Sequence, residues 1–141
     1  MSDWLALCRA AAGDVPGSQM RPMAMTLTSE AAIDNVVAYI KTLTAPPAAA
    51  TVKGDVATGK QLYATCAACH GPDGRGNAQL NAPRIAGQND WYLVRQLKNY
   101  KTGLRGNQPK DAYGAQMKPM AMMLANDQAI NDVVAYIDTL K

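Results

Sequence analysis

The sequence predicts a small all-α protein with long loops, and three features of its 141 residues support that fold class. Apolar residues near the C-terminus follow the spacing of an amphipathic helix, with Ile130, Val133, Val134 and Ile137 on one stripe. An equivalent stripe lies at residues 33–43. The segments between the predicted helices are rich in glycine, asparagine and proline, which favour turns. No segment has the pattern of a β-strand.

Composition excludes several classes of function. The net charge of +3 is small and scattered, so we expect no nucleic-acid partner. No apolar run reaches the roughly 18 residues that cross a bilayer, so we expect no transmembrane segment. Residues 1–14 lack the basic and apolar regions of a signal sequence. The three cysteines, an odd number in a short chain, argue against a disulfide scaffold.

The chain contains an internal repeat. Residues 19–43 match residues 116–140 at a constant offset of 97 positions, with 16 of 25 residues identical. This period exceeds the roughly 20–50 residues of solenoid repeats and equals the length of a small domain, which indicates domain duplication. Each copy begins with a methionine-rich segment, QMRPMAM or QMKPMAM, and ends in the apolar stripe.

Three regions follow from the repeat. Residues 1–43 are predicted to be the second half of a domain, with a helix capped by Thr28 or Ser29. Residues 44–54 are an alanine-rich linker that two consecutive prolines stiffen. Residues 55–141 are predicted to form a complete small domain.

Helices and loops alternate within this complete domain. Asp90 is predicted to cap its second helix, Gly103 to end that helix, and Asn126 to cap the last one. The predicted order is helix 55–69, loop 71–88, helix 91–101, loop 104–119 and a final helix after residue 126.

The stretch CAACH at residues 66–70 carries the chemistry. Cys-x-x-Cys-His is the attachment motif of c-type haem, because two thiols at this spacing can each add to one vinyl group of a porphyrin. The adjacent His70 then points its ring at the iron. A redox dithiol would need a βαβ context, and structural zinc needs four ligands, for which Cys8 is the only cysteine left over. We therefore predict one covalent haem c and interpret Cys8 as an ordinary thiol.

The second axial ligand cannot be histidine, because the chain has only one. Methionine, lysine, water or an open position remain. A methionine thioether is the usual partner in electron-transfer haems. Most of the eight methionines fit core packing. The exceptions lie in a predicted loop before the last helix and are Met117, Met120, Met122 and Met123.

From about residue 54 to 141 the chain resembles a class I cytochrome c, most closely one haem domain of the bacterial tandem two-haem cytochromes. The resemblance rests on GKQLYATCAACHG, on APRIAGQNDWYLVRQLKNYKTGLRG and on the methionine segment followed by INDVVAYIDTL. It implies a cytochrome c fold around one haem, with the first and last helices crossing. Gly59 and Tyr63 should then pack near Val133, Tyr136 and Ile137.

The resemblance also implies the site residues. Cys66 and Cys69 would hold the haem through thioethers, and His70 would be the proximal ligand. The Pro83 carbonyl would accept the proximal imidazole N–H. The family spacing before the last helix favours Met117 over Met120 as the distal ligand.

A haem with both axial positions filled implies electron transfer rather than catalysis, and the expected partners are redox proteins such as a terminal oxidase or reductase. Two alternatives stay open: a haem domain or fragment of a larger oxidase, dehydrogenase or two-haem cytochrome, and a haem enzyme such as a peroxidase. Covalent attachment in bacteria implies a periplasmic location. In residues 1–43, Met20 matches Met117 but has no attachment motif. The apolar stripe there lacks the first helix that would cover it, so we expect it to pack on the haem domain or, as the favoured alternative, to pair with the same segment of another chain in a homodimer.

Overall fold

The computed structural model describes residues 14–44, 48–109 and 111–140. These residues form α-helices and no strand, which confirms the all-α prediction for this part of the chain. A short 3₁₀ turn at Ala78–Leu80 lies in the longest loop. The helices are α1 (Val15–Met25), α2 (Glu30–Thr42), α3 (Val56–His70), α4 (Asp90–Thr102), α5 (Ala112–Met122) and α6 (Asp127–Asp138).

The core lies where α3, α4 and α6 meet. α6 contributes most of it, because its apolar stripe faces inward along the whole helix. Ile130 and Val134 have no exposed surface, and Val133 is 1% exposed. The buried cluster comprises Tyr63, Leu93, Leu124, Ile130, Val133, Val134 and Ile137.

Helices α3 and α6 cross at Gly59. A β-carbon added there would collide with the backbone carbonyl of Asp132, so only glycine permits this approach. One turn further along α3, the rings of Tyr63 and Tyr136 lie 5.2 Å apart. The predicted packing of Gly59 and Tyr63 against the last helix is confirmed.

The chain just before α3 is tied to two other helices. The Asp90 carboxylate accepts hydrogen bonds from the backbone N–H groups of Thr51 at 2.5 Å and Val52 at 2.6 Å. The N–H of Asp55 donates to the Asp132 carboxylate at 2.8 Å. Asp90 was predicted to be the cap of α4, but Asn89 occupies the cap position and Asp90 begins the helix. Its carboxylate serves these more distant backbone groups.

The methionine-rich segments form helices, so the predicted loop at 104–119 is wrong from residue 112 onward. Gly114 and Pro119 resemble helix breakers, but the Asp111 carboxylate caps α5 by accepting the Gly114 N–H at 2.8 Å. Methionine, alanine, glutamine and lysine then favour the helix. α1 begins in the same way, with Asp14 accepting from Gly17 at 3.1 Å. The repeat therefore extends upstream of residue 19 to these caps.

The two copies differ in burial. Ser29 and Asn126 cap α2 and α6 as predicted, each accepting a backbone N–H three residues on. All residues of α1 and α2 are described, and none of them is buried. The local structure of the repeat is therefore shared, whereas its tertiary packing is not.

Candidate haem site

The CAACH segment forms the last turn of α3. Gly71 ends the helix with a φ of +80°, a backbone conformation that glycine adopts without strain. Cys66 is half-buried and Cys69 is exposed, and neither forms a disulfide. Burial raises the pKa of the Cys66 thiol. His70 is 6% exposed, so the fold encloses its imidazole.

The orientation of His70 is fixed by a backbone carbonyl. Its Nδ1 lies 2.8 Å from the carbonyl oxygen of Pro83, which is the contact that the resemblance implied. Because a carbonyl oxygen only accepts, Nδ1 carries the ring proton and Nε2 presents its lone pair. Nε2 of His70 is therefore the imidazole nitrogen that can bind a metal.

The loop that carries Pro83 depends on a glycine that sequence analysis did not assign to the site. Gly76 has a φ of +83°, and an added β-carbon would lie 2.5 Å from the Ala82 carbonyl oxygen and 2.7 Å from the Pro83 carbonyl carbon. Its N–H donates to the His70 carbonyl at 2.8 Å. Gly76 therefore lets the Pro83 backbone approach His70. The two glycines of the sequence GRG at 74–76 are the feature from which this loop could have been predicted.

The candidate distal ligands lie on α5. Met117 is half-buried and Met120 is 38% exposed. They are three residues apart, so they lie on neighbouring parts of one helix face. Met122 and Met123 are 56% and 60% exposed, so they do not belong to the core of the chain. The Lys118 ammonium donates to Asn107 at 2.5 Å and is engaged at the surface.

These residues fit covalent haem better than a bare metal ion. In the described residues, no group of three or more histidine, cysteine or acidic side chains is arranged to hold a metal. Two free thiols and one oriented imidazole instead lie within five residues of a helix end. Cys8 lies outside the described residues. The described helices include none that is long and apolar enough to cross a membrane.

An all-α fold with this motif defines the class of c-type haem proteins. The chain belongs to the cytochrome c family, whose model matches residues 56–141. The family carries haem c, with iron, attached covalently.

Comparison with curated proteins gives consistent relatives. The chain is 40% identical over 90 residues to cytochrome c4 of Azotobacter vinelandii, covering 62% of this chain and 42% of that protein. It is 42% identical over 83 residues to cytochrome c-554(548) of Halomonas halodenitrificans, covering 59% of this chain and 93% of that protein. It is 33% identical over 113 residues to the thiosulfate dehydrogenase electron acceptor of Stutzerimonas stutzeri, covering 72% and 51%. The chain thus spans about two-fifths of cytochrome c4 and nearly all of the smaller cytochrome.

The fold also matches a solved structure. The crystal structure of reduced recombinant cytochrome c4 from Pseudomonas stutzeri superposes with a TM-score of 0.67 at 23% identity, over 87% of this chain and 66% of that chain. The similarity shows a cytochrome c4-like fold.

Proposed function

We propose that this chain is an electron-transfer protein in which His70 and Met117 are the axial ligands of one haem c held by Cys66 and Cys69. The observation that carries the proposal is the hydrogen bond between His70 Nδ1 and the Pro83 carbonyl, which aims Nε2 away from the loop. The haem supplies one-electron chemistry between ferrous and ferric iron. The chain orients the imidazole, and the burial of His70 limits its contact with water.

Occupied axial positions favour electron transfer over an enzymatic function such as peroxidase activity, because a substrate would need an open or weakly held position. Met117 is the better distal candidate of the two, since it is more buried than Met120 and belongs to the same helix face as the buried Gly114 and Ala121. A thioether shielded from water remains bound more firmly than one at the surface.

Two measurements test this proposal. The mass of the purified holoprotein should exceed the chain mass by one haem. The ferric protein should show the absorption at the red edge of the visible spectrum that a methionine–iron bond produces. Met117→Ala should abolish this band, whereas the matched variant Met120→Ala should keep it. The opposite pattern would make Met120 the ligand, and absence of the band from the wild type would contradict methionine ligation.

The proposed partners are redox proteins such as a terminal oxidase or reductase in the periplasm. A relative described as the electron acceptor of thiosulfate dehydrogenase supports a donor–acceptor role. Periplasmic location is proposed because the family attaches its haem covalently. Reoxidation of the reduced protein by a periplasmic extract, but not by cytosol, would support both the redox partners and the periplasmic location. Equal rates of reoxidation in the two extracts would contradict both proposals.

The repeat supports a second candidate, a haem domain within a larger two-haem cytochrome or oxidase assembly. Residues 1–43 would then be the second half of another haem domain and 44–54 the linker. Met20, which is 63% exposed, matches Met117 in register. Co-purification with a polypeptide that carries a second attachment motif would support this candidate, and a single haem-stained band would count against it.

We also propose that α2 pairs with the same face of a second copy. Val36, Val37 and Ile40 are 39–56% exposed, and the matching stripe of α6 is covered by another helix. A face that pairs with itself suits two-fold symmetry. Sedimentation should show a dimer that Ile40→Lys dissociates. A wild-type monomer at every concentration would refute the pairing.

A further inference from the structure

The hydroxyl of Tyr63 has a role that the sequence did not reveal. Tyr63 is 2% exposed and lies seven residues before His70, so both side chains project from the same face of α3. Its hydroxyl donates to the carbonyl of Gly71 at 2.7 Å. Gly71 is the first residue beyond the helix, so this bond fixes the start of the loop that follows the haem motif.

Further hydrogen bonds continue from this point through the loop. The Gly71 carbonyl also accepts the N–H of Gly74 at 3.2 Å, which closes a turn. The Gly74 carbonyl in turn accepts the N–H groups of Ile85 at 2.9 Å and Ala86 at 3.0 Å. The turn held by Tyr63 therefore anchors the segment that ends the loop.

Pro83 lies two residues before this anchored segment, and its carbonyl is the one that contacts His70 Nδ1. We propose that Tyr63 is a positioning residue for His70: its hydroxyl holds the loop in the register that places the Pro83 carbonyl on the imidazole. The inference rests on the proposed function, since it takes His70 as the iron ligand.

The expected consequence is a change in reduction potential. A hydrogen bond from Nδ1–H to a carbonyl makes the imidazole a stronger donor to a metal and so stabilises ferric iron. Loosening the loop weakens that bond and should raise the potential. Burial raises the pKa of Tyr63 to about 12, so the hydroxyl remains a proton donor at neutral pH.

The test compares two variants of the holoprotein. Each variant removes the phenolic hydroxyl from one of two neighbouring tyrosine rings. Tyr63→Phe removes the donor to Gly71. Tyr136→Phe is the matched control, because its ring lies 5.2 Å from that of Tyr63 and its hydroxyl takes no part in the loop hydrogen bonds described above. We expect Tyr63→Phe to change the oxidised-to-reduced ratio at fixed solution potential by about threefold, an upward shift of about 28 mV for one electron. Tyr136→Phe should leave it unchanged.

Amide hydrogen exchange provides a second readout that does not depend on the iron. In Tyr63→Phe the amides of Gly74, Ile85 and Ala86 should exchange up to about tenfold faster, in keeping with the loss of one hydrogen bond. An unchanged or lowered potential in Tyr63→Phe, or equal shifts in both variants, would overturn the inference. Failure of the proposed function would appear separately, as a wild-type protein without one covalent haem or without histidine ligation.

Discussion

Helices α2 and α6 carry the same apolar stripe in opposite environments. Val36 is 39% exposed and its counterpart Val133 is 1% exposed. Ile40 and its counterpart Ile137 are 56% and 4% exposed. The difference lies in what covers the stripe: α6 packs against α3 and α4, whereas no residue of the fully described α2 is buried.

This comparison separates local from tertiary determinants. Caps and helix propensity favour both helices locally, since Ser29 and Asn126 make equivalent hydrogen bonds. Burial requires a partner helix, and Gly59 lets α3 approach α6 closely. Burying a Val- or Ile-sized side chain contributes about 1.5–3 kcal/mol of favourable free energy, so the exposed face of α2 favours association.

The largest expected effect is a matched truncation of the two stripes. Ile137→Ala removes a buried side chain and should lower the free energy of unfolding of the haem domain by about 2–5 kcal/mol. Ile40→Ala, at the same register position, should change it by less than about 0.5 kcal/mol under conditions where the chain is monomeric. Denaturant unfolding measures both values. Equal losses in the free energy of unfolding would mean that α2 is buried in solution and would contradict the difference in burial between α2 and α6.

Asp90 should make the stability of the haem domain sensitive to acid. Burial raises its pKa, but hydrogen bonds from the backbone N–H groups of Val52, Thr51 and Trp91 outweigh burial and hold the pKa below its usual value. A lowered folded-state pKa contributes stability that is present above the unfolded value of about 3.9 and is lost as pH falls through the folded value.

Asp90→Asn should therefore cost about 1–3 kcal/mol at neutral pH, because an amide accepts through only one of its two terminal atoms. Below about pH 4 the wild type should lose this advantage over the variant. The matched control is Asp34→Asn, because Asp34 is an exposed residue on α2. This substitution should change stability neither at neutral pH nor below about pH 4. Thermal unfolding measured across pH tests this role of the ionised Asp90 carboxylate. An equal difference in stability between Asp90→Asn and the wild type at every pH would contradict it.

The crossing of α3 and α6 should not tolerate a methyl group. Gly59→Ala should destabilise the haem domain by about 1–3 kcal/mol through overpacking, although alanine is the better helix former by about 1 kcal/mol. Gln61→Ala, on the exposed side of α3, should be neutral or slightly stabilising. Stabilisation by Gly59→Ala would show that the two helices are further apart than described.

The smallest effect distinguishes the two caps. Asn126→Ala and Ser29→Ala should each weaken their helix by about 1 kcal/mol. Only Asn126→Ala should lower the melting temperature of the haem domain, since α6 belongs to its core. Ser29→Ala should speed amide exchange within α2 alone. A fall in melting temperature with Ser29→Ala would indicate that α2 unfolds together with that domain.

Periodicity and caps predicted α2, α3, α4 and α6, because those signals lie within a few residues of one another. The resemblance predicted the contact between His70 and Pro83 and the crossing at Gly59. The helix α5 was missed because Gly114 and Pro119 are common breakers, and the cap at Asp111 outweighs them. Ligation by Met117 stays a prediction.

Other features could not be read from the sequence, because they join distant positions. The carboxylate of Asp90 accepts hydrogen bonds from backbone N–H groups 38 and 39 residues away, and no local sequence pattern predicts these bonds. The missing partner helix predicted that the α2 stripe would pack on the haem domain or on a second chain. Packing on the haem domain is wrong, because no residue of α2 is buried. The hydroxyl of Tyr63 acts on a loop whose path depends on Gly76, so its role required the three-dimensional arrangement.

The crossing of α3 and α6 also sets the order in which the domain can be made. Asp55 bonds to Asp132, 77 positions later in the chain, and Gly59 packs against the same residue. Closing so long a loop is slow and must await the last helix. We expect the two thiols of the attachment motif to remain in an open chain until the last helix has been synthesised.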